Sequence, residues 1–119
     1  MEAYANLSAV YRRDGAFKQA RATAEQGLTK DKQHVGLLNA LGSAAAAEGD
    51  AWSAVAAFSE ALKIDSTLVQ AHFNLARLYE LQGKTEKAAA AYRSVLRHFK
   101  DESNSRVAFV RDRLEARER

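Results

Sequence analysis

Side chains that commonly carry catalysis or bind metals are few in this chain and poorly spaced for either role. It contains three histidines, His34, His72 and His98, and no cysteine. The histidines lack the spacing of metal ligands, and no Ser/His/Asp set or paired carboxylates emerge from the pattern. His72 falls on an apolar helix face, which favours a core histidine over a ligand. We therefore expect no enzyme, no metal site and no cofactor.

The glycines are arranged for structure rather than for binding phosphate. They do not form a glycine-rich loop, and Gly15, Gly49 and Gly83 are spaced by 34 residues. A period of this length is typical of a helix–turn–helix repeat that stacks to bury its core. The other columns that share the interval are Leu7, Leu41 and Leu75; Ala20, Ala54 and Ala88; and Leu28, Leu62 and Leu96.

Composition supports helices and limits the classes of function. The 119 residues suffice for one domain, and they include no proline. No apolar run approaches the ~20 residues of a membrane helix, and no signal peptide is indicated, so we expect no membrane insertion and a cytoplasmic location by default. The abrupt helical start suggests a domain from a longer protein, which would be envelope-associated if the parent chain carries a signal. The net charge of +3 is not gathered into one basic stripe, so we expect no nucleic-acid binding.

Apolar periodicity predicts two amphipathic helices in each repeat, here called the A helix and the B helix, joined by a glycine turn. In the first A helix, Tyr4, Leu7, Val10 and Tyr11 form the apolar face. Thr85 is the expected N-cap of the third B helix. The predicted segments are repeats 1–34, 35–68 and 69–102, followed by a capping helix at 103–119 whose stripe is Val107, Val110 and Leu114.

These residues resemble the tetratricopeptide repeat family, which places small or apolar residues at fixed positions of a 34-residue unit. The resemblance covers three full repeats. It implies an all-α fold, a right-handed α-solenoid of three helical hairpins with a C-terminal capping helix, seven helices in all. The matching columns are Ser8, Gly42 and Ala76; Tyr11, Ala45 and Tyr79; Ala24, Phe58 and Tyr92; and Gly27, Ala61 and Val95.

Departures from the family pattern concentrate in the first repeat. Ala24 stands where an aromatic residue is usual, and Gly27 lies inside the B helix, where glycine costs ~0.5–1 kcal/mol relative to alanine. The family's connector proline is replaced by Lys32, Ser66 and Lys100. We expect repeat 1 to be the least stable, with hydrogen exchange fastest in its B helix.

The resemblance also implies where a partner would bind, because A helices line the concave groove in this family. Asparagine amides can donate to and accept from a peptide backbone, arginine can pair with a carboxylate, and an exposed aromatic ring can anchor a partner. The alternative is a solvated helix face, and Phe73 has the further alternative of packing on the third B helix or the cap. The implied binding residues are Asn6, Arg12, Arg13, Asn39, Ser43, Phe73, Asn74 and Arg77.

The expected function is a non-catalytic scaffold that binds a peptide or helix of a partner protein. The family's carboxylate clamp for chaperone tails is not expected, because its matching positions lack the required cations; they are Ala5, Ala9, Ala40, Gln70 and Asn74. The alternative function is assembly, by self-stacking or by packing on further repeats at the N-terminal end. Trp52 has two open interpretations: it folds back into the space left by Ala51, or it is an exposed contact.

Overall fold

The chain is all-helical where a computed structural model describes it, over residues 2–99 and 105–118. Side chains are described to residue 116. Within these ranges the order of seven helices matches the prediction. The helices are α1 (Glu2–Arg13), α2 (Phe17–Lys30), α3 (Val35–Ala47), α4 (Ala51–Ile64), α5 (Val69–Leu81), α6 (Thr85–His98) and α7 (Ser105–Glu118).

The three predicted glycine turns are confirmed, and they share one geometry. Gly15, Gly49 and Gly83 have φ of 80°, 83° and 74°, a left-handed conformation that glycine adopts without a Cβ clash. At the first turn the Gly15 N–H donates to the Arg12 carbonyl (3.1 Å) and the Ala16 N–H to the Tyr11 carbonyl (2.8 Å). This Schellman pattern recurs at the other two glycines and satisfies carbonyls at each A-helix end.

Helix starts differ from the sequence expectation. Thr85 is the first residue of α6, and the N-cap is Lys84, whose side chain makes no capping bond. The capping side chains lie instead at His34, whose Nδ1 accepts from the Leu37 N–H (3.1 Å), and Asp50, whose Oδ1 accepts from the Ser53 N–H (3.1 Å). Asp50 is a common N-cap type, whereas a histidine cap has no strong sequence signal.

The helices fall into two compact units, Met1–Ser66 and Thr67–Arg119. In the first unit, α1 packs on α2 and α3, α2 packs on α3, and α3 packs on α4. Its core is built largely from alanines and Phe58, which is 1% exposed. The one buried hydroxyl of α1, on Ser8, donates to the Ala20 carbonyl (2.8 Å), so it carries no desolvation penalty.

Two buried glycines in this unit mark close helix contacts. A Cβ at Gly27 would lie 2.7 Å from Leu37 Cδ1 and 3.0 Å from Tyr4 Cβ. A Cβ at Gly42 would lie 2.8 Å from the Phe58 ring. Gly27 therefore permits close packing as well as weakening its helix.

An ionic network joins α2 to the start of α4. Arg21 Nη1 lies 2.9 Å from Asp50 Oδ2, and Arg21 Nη2 donates to Ser53 Oγ (3.0 Å). Ser53 Oγ also donates to Asp50 Oδ2 (2.7 Å). Hydrogen bonds from Ser53 and then from Arg21 lower the pKa of Asp50, because they stabilise the ionised carboxylate.

Two residues predicted to pack are partly exposed. Leu7 is 45% exposed and Val10 is 39% exposed, whereas Leu75, at the repeat position of Leu7, is 6% exposed. Within its unit α1 packs against α2 and α3, and these contacts leave part of the predicted apolar face uncovered. The expectation that Leu7 is a core residue is therefore wrong.

The second unit consists of the α5/α6 hairpin with α7 packed on α6. Its core includes Leu75, Tyr92 and Val95. Val107 and Val110 of α7 are 1% and 0% exposed, so the predicted stripe does pack against the unit. The predicted boundary between repeat 3 and the cap, and the connector residue Lys100, lie outside the described residues. The division into four segments stays a prediction.

Candidate functional site

Three of the predicted binding residues are brought together on α1. A shallow surface depression is lined by Asn6, Ala9, Val10, Arg12 and Arg13. Asn6 and both arginines are exposed. The depression therefore combines an amide, two guanidinium groups and an apolar side chain, which suits a polypeptide partner with an acidic group.

The two arginines are available for binding. Arg12 and Arg13 lie in the last turn of α1, where the helix dipole favours positive charge. Neither forms an ion pair or hydrogen bond with any side chain in the described part of the chain. Such cations are stabilised by position rather than by pairing, so they stay free for an incoming carboxylate.

Asn39 and Ser43 lie on α3, which packs beside α1. Both are half-buried, and their spacing of four residues places them on one helix face. They are not among the residues that line the α1 depression.

In the second unit Phe73 is engaged by its neighbours rather than standing alone. Its ring lies 6.4 Å from that of Tyr92 at 73°, and 5.7 Å from that of Phe109 at 58°. Tyr92 and Phe109 are themselves 6.1 Å apart in an edge-to-face arrangement, so the three rings form one cluster. Phe73 thus packs on both α6 and α7, and its half-buried ring offers a partner only part of its surface.

The other two predicted residues of α5 differ in their freedom. Asn74 Oδ1 accepts a hydrogen bond from Gln70 Nε2 (2.9 Å), which leaves its amide N–H groups to donate. Arg77 is exposed and lines a pocket with Glu80, Leu81, Phe109 and Arg113. Of the eight binding residues implied above, Arg77 is one that lines this pocket.

Glu80 organises the polar side of that pocket. The Tyr92 hydroxyl donates to one Glu80 oxygen and Arg113 pairs with the other. Burial, together with the neighbouring Glu80 carboxylate, raises the pKa of the Tyr92 hydroxyl, because both disfavour the phenolate. Glu80 of α5 is therefore bonded to both α6, through Tyr92, and α7, through Arg113.

Phe109 and Arg113 were missed because they lie on the capping helix, outside the A helices that the resemblance identifies. The available signal was Phe109, a large apolar residue beside the stripe that begins at Val107. It is 40% exposed in the structure.

The structure shows how far the side chains of Trp52 and His72 are buried. Trp52 is 77% exposed, so its return into the space beside Ala51 is wrong. His72 is half-buried rather than a core residue, and its ring stacks on that of His98 with centroids 5.5 Å apart.

Within the described residues no cluster of three or more His, Asp or Glu side chains could hold a metal. No helix described here has the length and apolar character needed to span a bilayer.

Comparison with solved structures identifies similar folds at low sequence identity. The type III secretion translocator chaperone SycD of Yersinia enterocolitica matches with a TM-score of 0.90 at 17% identity, covering 97% of this chain and 81% of that one. The first TPR of Spaghetti (RPAP3), bound to an HSP90 peptide, matches with a TM-score of 0.86 at 17% identity, covering 98% and 92%. MamA matches with a TM-score of 0.80 at 20% identity, covering 98% and 78%. No curated protein matches in sequence.

Sequence models of protein families identify the family of this chain, which similarity of fold alone does not. Two models described as Tetratricopeptide repeat match residues 6–68 and 45–108. Each range spans more than half of the 119 residues, and together they include all three predicted glycine turns. The chain belongs to the tetratricopeptide repeat family.

Proposed function

We propose that this protein is a non-catalytic scaffold that binds a peptide or helix of a partner protein on its A-helix faces, those of α1, α3 and α5. The observation that carries the proposal is on α1. Asn6, Arg12 and Arg13 are exposed around one depression, while the B helix α2 places Ala20 and Ala24 in the core at 0% exposure. In this hairpin α2 supplies core residues, and α1 presents the exposed groups that we propose for binding.

Proteins of similar fold support a polypeptide partner. SycD has been solved with a peptide of the translocator YopD, and the Spaghetti repeat with the HSP90 peptide SRMEEVD. Neither exceeds 17% identity, so the partner of this chain has to be inferred from its own residues.

Binding of a chaperone tail through a carboxylate clamp is not part of the proposal. The clamp positions Ala5, Ala9 and Ala40 have no cationic group. The remaining two are Gln70 and Asn74, which hydrogen-bond each other. A terminal carboxylate would meet no positive charge at any of the five positions, despite the similarity in fold to an HSP90-binding repeat.

The proposal is tested by affinity capture with three versions of the protein. Arg12→Glu with Arg13→Glu reverses the charge of the α1 depression at exposed positions, so folding should be preserved. Lys18→Glu with Lys30→Glu makes the same charge change on exposed positions of α2. We expect wild type and the α2 variant to retain the same partner, identified by mass spectrometry, and the α1 variant to lose it. Equal recovery by all three would reject the α1 face as the binding surface.

A second candidate is self-assembly through α1, favoured by the exposure of Leu7 and Val10. Exposed apolar side chains side by side on one helix are typical of an interface. If the protein self-stacks there, size-exclusion chromatography coupled to light scattering will show dimers at high concentration. Leu7→Glu should abolish those dimers, while Ile64→Glu, an exposed apolar residue on α4, should leave them. A monomer at every concentration would exclude this mode.

A further inference from the structure

The pocket beside the C-terminal end of α5 exposes apolar surface. Its lining residues are Arg77, Glu80, Leu81, Phe109 and Arg113, all within the second compact unit. Leu81 is 83% exposed and Phe109 is 40% exposed. Large apolar side chains that share one concave surface mark a binding site more often than isolated ones do.

The charged side chains of the pocket differ in whether they already have a partner. Arg113 and Glu80 pair with each other, and Glu80 also accepts from the Tyr92 hydroxyl. Arg77 is exposed, and its side chain makes no ion pair or hydrogen bond with another described residue. Of the charged groups that line this pocket in the described chain, only Arg77 is left for a ligand.

The apolar side of the pocket is fixed in place before any ligand arrives. Phe109 packs on Phe73 and Tyr92, and the Arg113 guanidinium lies 5.6 Å from the centre of the Phe109 ring. These contacts restrict the ring from several sides. A ligand that packs on Phe109 therefore pays little to order it, which favours affinity.

We infer that this pocket binds a segment of a partner protein in which a large aliphatic or aromatic residue stands close to an aspartate or glutamate. The apolar side chain packs between Leu81 and Phe109, and the carboxylate pairs with Arg77, which can bond it in a bidentate manner. A lysine-rich segment is disfavoured because it is repelled by Arg77, whereas the charge of Arg113 is paired with that of Glu80. The inference rests on the proposed scaffold function and adds the chemical class of the partner at a surface formed by α5 and α7.

The test uses short synthetic peptides of four compositions: acidic–apolar, basic–apolar, acidic–polar and uncharged apolar. Binding of each to the full chain is measured by fluorescence anisotropy. We expect the acidic–apolar peptides to bind most tightly. Arg77→Glu and Leu81→Ser should each weaken them about tenfold or more, corresponding to ~1.4 kcal/mol.

Arg93→Glu is the matched control, because it makes the same charge reversal at an exposed position of α6 that does not line the pocket. It should leave the affinity unchanged. Methyl NMR gives a second, site-specific readout: the Leu81 methyl signals should shift on addition of the acidic–apolar peptides, while those of Leu28 on α2 should not.

Three results would overturn the inference. If acidic–apolar peptides bind equally well to wild type, Arg77→Glu and Leu81→Ser, the pocket is not their site, although the scaffold function stands. If another composition binds most tightly, the partner class is wrong while peptide binding stands. If no composition binds but the α1-dependent partner is still captured, only the pocket is rejected; loss of both rejects the scaffold function as well.

Discussion

At the residue scale, the alanine column of Ala20, Ala54 and Ala88 is buried as its repetition predicts, but repetition does not show which small residues are required. The family pattern marks Ala24 as a lost aromatic, and helix propensity marks Gly27 as a weak point. The structure adds that Leu37 and Tyr4 occupy the space a Cβ at Gly27 would need. Close approach between helices depends on three-dimensional packing, which one sequence does not reveal.

Gly42 permits a direct test of such close packing. Gly42→Ala should destabilise the protein by ~1 kcal/mol, since overpacking costs ~1–3 kcal/mol and alanine returns only ~0.5–1 kcal/mol of helix propensity. The added methyl would lie 2.8 Å from the Phe58 ring, and that ring is 1% exposed and has little room to shift. The free energy of unfolding is measured by urea denaturation.

Phe58→Leu provides the control for this substitution. If the Phe58 ring causes the strain, Gly42→Ala should cost less in the Phe58→Leu background than in wild type, giving a non-zero coupling in the double-mutant cycle. A Gly42→Ala variant more stable than wild type would show that the helices separate freely at this contact.

The lowered pKa of Asp50 leads us to expect that the folded chain loses stability in acid. Its pKa is lowered in the folded chain from the ordinary value of 3.8, so the unfolded chain takes up the proton more readily than the folded chain. The stabilisation is present above that ordinary value and is lost as the pH falls through the lower folded value. Thermal melts of wild type should therefore show a drop in stability below about pH 4.

Asp50→Asn should reduce that acid dependence while keeping a residue suited to the N-cap. Asp14→Asn removes an exposed carboxylate at the end of α1 and serves as the comparison. If Asp50→Asn and wild type lose stability equally between pH 5 and 2, the Arg21–Asp50–Ser53 network does not contribute to the acid response.

At the element scale, the helices and their turns were largely predictable because the same spacing of apolar residues and glycines occurs in all three repeats. The 34-residue period predicted all three glycine turns, and each of these glycines has a positive φ between 74° and 83°. Helix starts were less predictable, since capping at His34 depends on a ring orientation rather than on a residue preference. The exposure of Leu7 also could not be predicted, because its column is buried at Leu75.

The stability order of the hairpins stays a prediction at this scale. We expect native-state hydrogen exchange to be faster in α2 than in α4 or α6, because α2 has Ala24 and Gly27 where the other B helices have a buried aromatic residue and a larger apolar one. Exchange is measured by mass spectrometry or NMR on the intact protein. Slowest exchange in α2 would contradict it and would indicate that the close packing of Gly27 outweighs its poor helix propensity.

The capping helix shows where a family pattern stops being informative. Its buried stripe, Val107 and Val110, follows from periodicity. The surface use of α7 does not, because Phe109 and Arg113 gain significance only from their contacts with Phe73 and Glu80. Sequence reasoning therefore missed the two residues that α7 contributes to the pocket at the end of α5.

At the scale of the whole molecule, family and fold class are better determined than the partner. The repeat assigns the chain to the tetratricopeptide repeat family, and partner binding by the A helices is our proposal. The identity of the partner depends on a few exposed side chains that the fold does not constrain. In our proposal, these side chains include Asn6, Arg12 and Arg13 of α1.

The central claim is that a partner polypeptide binds the A-helix face of α1. The most direct measurement is isothermal titration calorimetry of the captured partner with wild type, Arg12→Glu/Arg13→Glu and Lys18→Glu/Lys30→Glu. Charge reversal on α1 should raise the dissociation constant about tenfold or more, a loss of ~1.4 kcal/mol in binding free energy. Charge reversal on α2 should leave the dissociation constant unchanged. Equal affinity for all three proteins, or equal weakening by both reversals, would contradict the claim.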